Sequence, residues 1–493
     1  MEQQRTGGGA GGAAKRHGIN LIGLVALVIS SSIGSGVFAL SSDIAKAASP
    51  GAALVAWALC GVGFLALATT FGRLSIARPD LHGLSAYARE GFGPFIGFVS
   101  GWGYWLSIWM GIVAFGVMFA TTLGYFIPAF SHGLTVWSIV VISILDWALV
   151  FLVNRGVERA SIVNAVVMVC KLVPIFAFIA AMAAVFDPAA FTADLWGAGA
   201  AAGSAVVDGA AHAVSGSVPG QVVACLMVMM WVFVGMEGAT VLGHRARRVR
   251  DVSRATVLGS LALVAIYVAA SVLPYGFLSR SELMDVPAPS MPYLFERVVG
   301  PWGGAFVSAG LIVSIFGASL SYTMLASETM FEMAQMRLLP SAFARANANG
   351  APTAALIATG AMVQALTVLM LFSAAAYQFA YSLCTASIVI SWSLAAGFQV
   401  REAWGRRGDG WLRDAAVAGL AAAFLVVAVV IAGAQLLLLC CIAYVPGIVF
   451  YVLARREHGA EQALTARERL IALAICLAAT AAIVGLATQV ITI

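Results

Sequence analysis

A chain of 493 residues that is 61% hydrophobic and only 10% charged, with 51 glycines, has too few polar side chains to cover a water-facing surface, which excludes a soluble globular protein. The formal net charge of +5 does not point to nucleic acid, because the basic residues stand in short clusters between apolar runs and not along one face or tail. Length and composition together predict an all-α polytopic membrane protein with about a dozen crossings of roughly 20 apolar residues each.

In chain order, residues 1–18, with the glycine-rich run from Gly7 to Gly12, are expected to form a disordered cytoplasmic tail. The apolar stretch after Lys15 and Arg16 is too long for the core of a signal segment, so no cleavage is expected. Spans follow near residues 20–40, 50–71, 93–126, 134–153, 161–186, 220–243, 254–278, 303–330, 353–373, 376–399, 414–432, 434–454 and 469–491, thirteen in all. The block from Asp414 to Ala454 is one apolar run, divided at Gly433, where the composition allows a tight turn. The connection from Asp187 to Pro219 is rich in Ala and Gly, and no segment is left over for a soluble domain. The seven cysteines fall in apolar stretches without zinc or disulfide spacing and read as packing residues.

Arginine and lysine set the orientation. Arg73, Arg78 and Arg89 lie in one connection, Arg155 and Arg159 in another, and Arg245, Arg247, Arg248, Arg250 and Arg254 in a third, all on the same side of the predicted spans. Later basic residues from Arg337 to Arg469 join that side, whereas the opposite side has only Lys46, Arg280 and Arg297. The arginine-rich side is therefore expected to be cytoplasmic, together with the N-terminus, in a multi-pass protein of the cell inner (plasma) membrane. An odd span count puts Ile493 outside.

Two spans break the rule that backbone groups in lipid stay paired within a helix. Span one contains Ser30-Ser31-Ser32-Ile33-Gly34-Ser35-Gly36, small residues that weaken a helix and let a ligand approach freed amides, a geometry suited to a carboxylate. Such a run equally serves close helix packing. Span six contains Trp231-Val232-Phe233-Val234-Gly235-Met236-Glu237-Gly238, an acidic residue beside glycines deep in an apolar stretch. Glu237 there either exchanges protons, pairs with a cationic substrate group, or forms a hydrogen bond between helices. Interruptions five spans apart point to an inverted-repeat transporter with a midplane site, its core over 19–400 made of repeats 19–186 and 220–400, followed by accessory helices over 412–493.

Ile33-Gly34-Ser35-Gly36-Val37-Phe38, followed by Trp231 through Ala239, resembles the amino acid, polyamine and organocation superfamily. Tyr87 to Pro94, His244 to Gly259 and Ser327 to Pro352 resemble its basic amino acid/polyamine antiporter branch, which includes arginine/ornithine exchangers. The resemblance implies a leucine-transporter-type 5+5 inverted repeat. In it the span-one amides up to Gly36, with Ser35, hold a substrate carboxylate, and the carbonyls of Ile33, Trp231 and Val234 hold its α-amino group. It further implies that Tyr322 stacks on a cationic side chain, and that Tyr104, Trp231 and Trp392 act as gates. Where arginine exchangers of that branch offer a polar amide this chain has Ile112, and Ser107, Ile108 and Cys384 keep the neighbourhood weakly polar. Lys171 matches a lysine that stands in for a bound sodium ion in sodium-independent members, and it is assigned with Glu237 to proton coupling.

The expected function is exchange of a cationic amino acid of the arginine, ornithine, lysine or histidine type for a related amino acid or amine. The alternative is a proton-coupled or facilitative permease for neutral or aromatic amino acids. Asp146 is read as a helix-packing polar contact and Glu328 as a residue of the cytoplasmic side, neither with a catalytic role. None of the six histidines forms a metal or catalytic set, so neither an enzyme nor a metal or other cofactor is expected. A channel shares the hydropathy but not the need for an occluded acidic site. The expected partners are the substrate and the lipid bilayer, with no nucleic acid, and a homodimer is left open.

Overall fold

The computed structural model describes residues 19–130, 134–197, 204–207, 210–213, 217–241, 243, 246–373, 376–408, 410–460, 462–488 and 491. The tail expected over residues 1–18 and the chain end at Ile493 lie outside the described residues, as do His244 and Arg245.

The first span begins at Asn20, whose side-chain oxygen accepts the Gly23 amide at 2.8 Å. Helix α1 (Leu21–Ser32) stops at the serine run, and α2 (Gly36–Ala47) resumes at an angle of 51° to it. The sequence placed the end of this span near residue 40; the structure carries α2 about two turns further, to Ala47, because Ser41 and Ser42 bond neighbouring elements and not water. Helix α3 (Pro50–Ala77) opens on a proline at its first turn, where a missing amide hydrogen does no harm. A short amphipathic helix, α4 (Gly83–Phe92), turns at Gly93 with φ +97° into α5 (Pro94–Leu123). A reciprocal Thr135 and Ser138 capping box starts α6 (Val136–Asn154), and α7 (Val157–Ala184) and α8 (Pro188–Thr192) follow.

The connection beyond α8 holds a feature absent from the all-α expectation. Strands β1 (Ser204–Val207) and β2 (Ala210–Ala213) pair as an antiparallel hairpin. Two strands of four residues leave the protein otherwise helical, and the Ala- and Gly-rich composition had no alternation that marks a half-buried strand.

Helix α9 (Val218–Val232) has 15 residues, short for a crossing; a non-helical turn over residues 233–237 leads to the one-turn α10 (Gly238–Val241). Then come α11 (Val249–Val272), α12 (Arg280–Met284) and the amphipathic α13 (Ser290–Val299), which turns at Gly300 with φ +90° into α14 (Pro301–Gln335). The passage from an amphipathic helix through a positive-φ glycine and a proline into a long central helix thus occurs twice, at Gly93-Pro94 and Gly300-Pro301. Helices α15 (Thr353–Leu369), α16 (Ala376–Arg406), α17 (Trp411–Glu457) and α18 (Ala466–Ala487) complete the chain, with α17 broken at Gly433 (φ 79°), the expected position.

Eleven of the described helical stretches are long and apolar enough to cross a membrane, and the bent α1 and α2 make a twelfth. Counting the interrupted α9 and α10 as one more crossing gives the thirteen expected. The protein is a multi-pass membrane protein. Its centre is α5, whose most apolar stretch is 83% buried, against 17% for α18 at the periphery. Outward-facing Trp137, Val430 and Leu470 are exposed by more than half their surface, which only a lipid environment accommodates in such numbers.

Candidate functional site

The break in span one leaves backbone groups that need partners, and two other helices supply them. Lys171 of α7, fully buried, donates through Nζ to the carbonyl oxygens of Ser30 at 2.5 Å and Ile33 at 2.6 Å. Ser314 of α14 donates to the carbonyl of Gly34 at 3.0 Å. The amides at the start of α2 receive no side-chain cap, so positively polarised N–H groups stand open at the break. Glycine is required here by space: a Cβ on Gly36 would lie 2.9 Å from Nε1 of Trp231, and one on Gly34 would strike the ring of Phe115.

The break in span six sits against the first. Gly235 adopts φ +104°, and a Cβ there would lie 2.6 Å from the carbonyl oxygen of Ser31. In return the Ser31 hydroxyl donates to the Gly235 carbonyl at 2.7 Å. Tyr322 of α14 donates to the Val234 carbonyl at 3.0 Å, and Tyr267 of α11 to that of Val232 at 2.7 Å. The buried Glu237 accepts the Gly235 amide through Oε2 at 3.3 Å, while its Oε1 has no hydrogen-bond partner. Facing that carboxylate are the Tyr104 hydroxyl and the Trp392 indole nitrogen, both buried and both without a hydrogen bond.

Aromatic rings wall the space where the two breaks meet. Phe115 packs against Tyr322 at 4.9 Å and Trp231 at 5.5 Å between ring centroids. Tyr381 stacks on Trp231 at 5.7 Å, and Tyr377 meets Tyr381 edge-on at 5.2 Å. The Trp231 indole donates to the Tyr377 hydroxyl at 3.2 Å, which is itself 3.3 Å from Oγ of Ser35. Below Tyr322, the glycine at 111 brings Cys384 close, and Ser107 Oγ lies 3.2 Å from its Sγ. The neighbouring Ile112 is buried. The arrangement offers open amides for an anion, carbonyls for a cation and stacked π-faces between them.

The sequence profile of the family described as Amino acid permease matches residues 19–462. The chain belongs to the amino acid permease family. Its members transport and do not catalyse a covalent reaction. The chain is 46% identical, over 94% of its own length and 95% of the other's, to a protein of Latilactobacillus sakei named as an arginine/ornithine antiporter. It is 38% identical to an arginine/ornithine antiporter of Pseudomonas aeruginosa over 95% of this chain and 97% of that one, and 33% identical to an L-lysine transport protein of Corynebacterium glutamicum over 98% of both.

Within this permease the residues anticipated from sequence gather in two groups. Ile33, Ser35, Gly36, Trp231, Val234, Tyr322 and Lys171 meet at the paired breaks, with Ser107, Ile112 and Cys384 at one edge. Glu237, Tyr104 and Trp392 form a separate cluster on the side of the arginine-rich connections. The three carbonyls anticipated for an α-amino group already accept bonds: Ile33 from Lys171, Val234 from Tyr322, and Trp231 from the Val234 amide at 3.1 Å. The Ile33 carbonyl also takes the Ser314 hydroxyl at 3.4 Å and that of Trp231 also the Phe233 amide, so both are already shared between two donors.

Sequence reasoning missed Phe115, Ser314, Tyr377 and Tyr381. A signal existed: Tyr377, Tyr381, Cys384 and Trp392 recur at helical spacing on one face of α16, as Tyr104, Ile108 and Phe115 do on α5. Asp146 differs from the polar contact expected. It is buried beside Gly360, but neither carboxylate oxygen has a hydrogen bond, because α15 presents glycine where a donor would be needed. Glu328 is buried near the end of α14 that leads to the arginine-rich side.

Proposed function

We propose that this protein is an antiporter exchanging a cationic amino acid for a related amino acid or amine across the plasma membrane, by alternating access, with its N-terminus in the cytoplasm. The observation that carries the reading is that the uncapped start of α2 abuts Trp231 and Phe115, whose rings pack together, that of Phe115 also on Tyr322. The substrate carboxylate binds the amides with Ser35 and Gly36, its ammonium approaches the Ile33, Trp231 and Val234 carbonyls in competition with the long Ser314 bond to Ile33, and its side chain lies on Tyr322. The names of the relatives support cationic substrates.

Trp231, with Tyr377 and Tyr381 behind it, closes the pocket from the arginine-poor side. Tyr104 and Trp392 close it from the other, where Glu237 changes partners and exchanges a proton as that gate opens and shuts. Lys171 supplies a fixed cation at the span-one break, which supports operation without sodium. The recurring glycine-proline entry into α5 and α14, and the interruptions at α1 and α9, support a leucine-transporter-type core of repeats 19–186 and 220–400 with accessory helices over 412–493.

A second reading, a proton-coupled or facilitative permease for neutral or aromatic amino acids, is favoured by Ile112 and the aromatic walls. Equilibrium binding to the purified protein separates the two. Arginine, ornithine and lysine are expected to bind more tightly than tyrosine and leucine; the reverse order would select the second reading.

A further inference from the structure

Two turns beyond the span-one break, α2 carries an acidic residue that the transport reading does not use. Asp43 is half-buried. It makes no hydrogen bond and no ion pair among the described residues. The basic groups near it are otherwise placed: the Arg280 guanidinium donates to the Ala45 carbonyl at 2.9 Å, and Lys46, although close enough to interact, forms no ion pair with it.

Its position follows from helix geometry. Asp43 is seven residues after Gly36 and therefore on the same face, about 10 Å further along the axis. Gly36 is the residue pressed against the Trp231 indole. The neighbouring positions are committed elsewhere, since Ser41 donates to the Ala270 carbonyl of α11 at 3.0 Å and the Ser42 amide to Ser290 of α13 at 3.3 Å. Asp43 is left on the Gly36 face of α2, and the hydroxyls of Tyr377 and Tyr381, the two rings that back Trp231, lie within reach of its charge.

We propose that Asp43, Tyr377 and Tyr381 form an outer docking subsite for the ammonium or guanidinium group of an incoming cationic amino acid, one layer beyond Trp231 on the arginine-poor side. The inference rests on the transport reading and adds to it a step at which charge is selected. A carboxylate held in no ion pair attracts a positive side chain from solution, and two tyrosine faces near it favour a cation over a neutral group. When Trp231 and Tyr377 part, the carboxylate end of the substrate advances to the open amides of α2. Selection at this layer offsets the apolar Ile112 within the inner pocket.

The test is uptake kinetics of arginine and of citrulline, its neutral near-isostere, into proteoliposomes loaded with ornithine. Wild type, Asp43→Asn and Asp43→Glu are compared at low and high ionic strength. Asp43→Asn is expected to raise the KM for arginine roughly fivefold at low salt, with the gap narrowing at high salt, and to shift that for citrulline by less than about twofold. Asp43→Glu, which keeps the charge, is expected to stay near wild type. An unchanged arginine KM, an equal change for citrulline, or an equal loss in Glu and Asn variants would overturn the subsite. Wild-type protein that moves no cationic amino acid would instead overturn the transport reading beneath it.

Discussion

Lys171 shows how one side chain holds the unwound centre of a span together. Its ammonium makes two charge-assisted bonds to carbonyls that the helix abandons at Ser30 and Ile33. Lys171→Met, close in shape and without charge, is expected to lower stability by roughly 2 to 4 kcal/mol, as two buried acceptors lose their donor. Chemical unfolding in detergent measures this. Tyr322 combines a ring and a donor, which substitutions separate. Tyr322→Phe removes the bond to Val234 but keeps the π-face, whereas Tyr322→Ala removes both and should weaken binding of arginine more than of leucine, read by isothermal titration. Glu237→Gln is expected to leave the protein folded and to flatten the pH profile of transport, because the cluster with Tyr104 and Trp392 then has nothing to titrate. An unaltered profile would remove Glu237 from proton exchange. The residues that broke a rule of membrane helices, a buried lysine, a buried glutamate and glycines among serines, were legible in the sequence. Tyr377, Tyr381 and Phe115 were not picked out, since aromatic residues in apolar spans obey every rule and only three-dimensional proximity separates a gate from packing.

The elements explain why glycine stands where it does. Gly235 is held at φ +104° with the Ser31 backbone against it, so both conformation and space exclude a side chain. Gly235→Ala is expected to abolish transport and lower the melting temperature, whereas Gly419→Ala on α17, which meets nothing within 4 Å, is expected to do neither. Thermal unfolding and uptake in parallel distinguish the two. Most spans, and the break at Gly433, could be located from hydropathy because lipid demands a long apolar run. The outer half of α2 could not, since Ser41, Ser42 and Asp43 lower the apolar signal while the bonds of Ser41 and Ser42 to α11 and α13 sustain the helix. The β1 and β2 hairpin also escaped notice, because Ala and Gly carry little periodicity.

At the scale of the molecule, helices with buried faces surround α5 and those with exposed apolar faces stand at the edge, so the two breaks meet where lipid is excluded. That placement joins the chemistry of residues from four spans into one pocket with a separate aromatic layer on either side. The central claim is that the pocket is never carried across empty at a useful rate, so that one cationic amino acid enters only as another leaves. The direct measurement is uptake of radiolabelled arginine into proteoliposomes loaded either with ornithine or with buffer alone. Rapid uptake with ornithine inside and little uptake with buffer is the predicted result. Equal uptake into both would contradict exchange and make the protein a permease that returns unloaded.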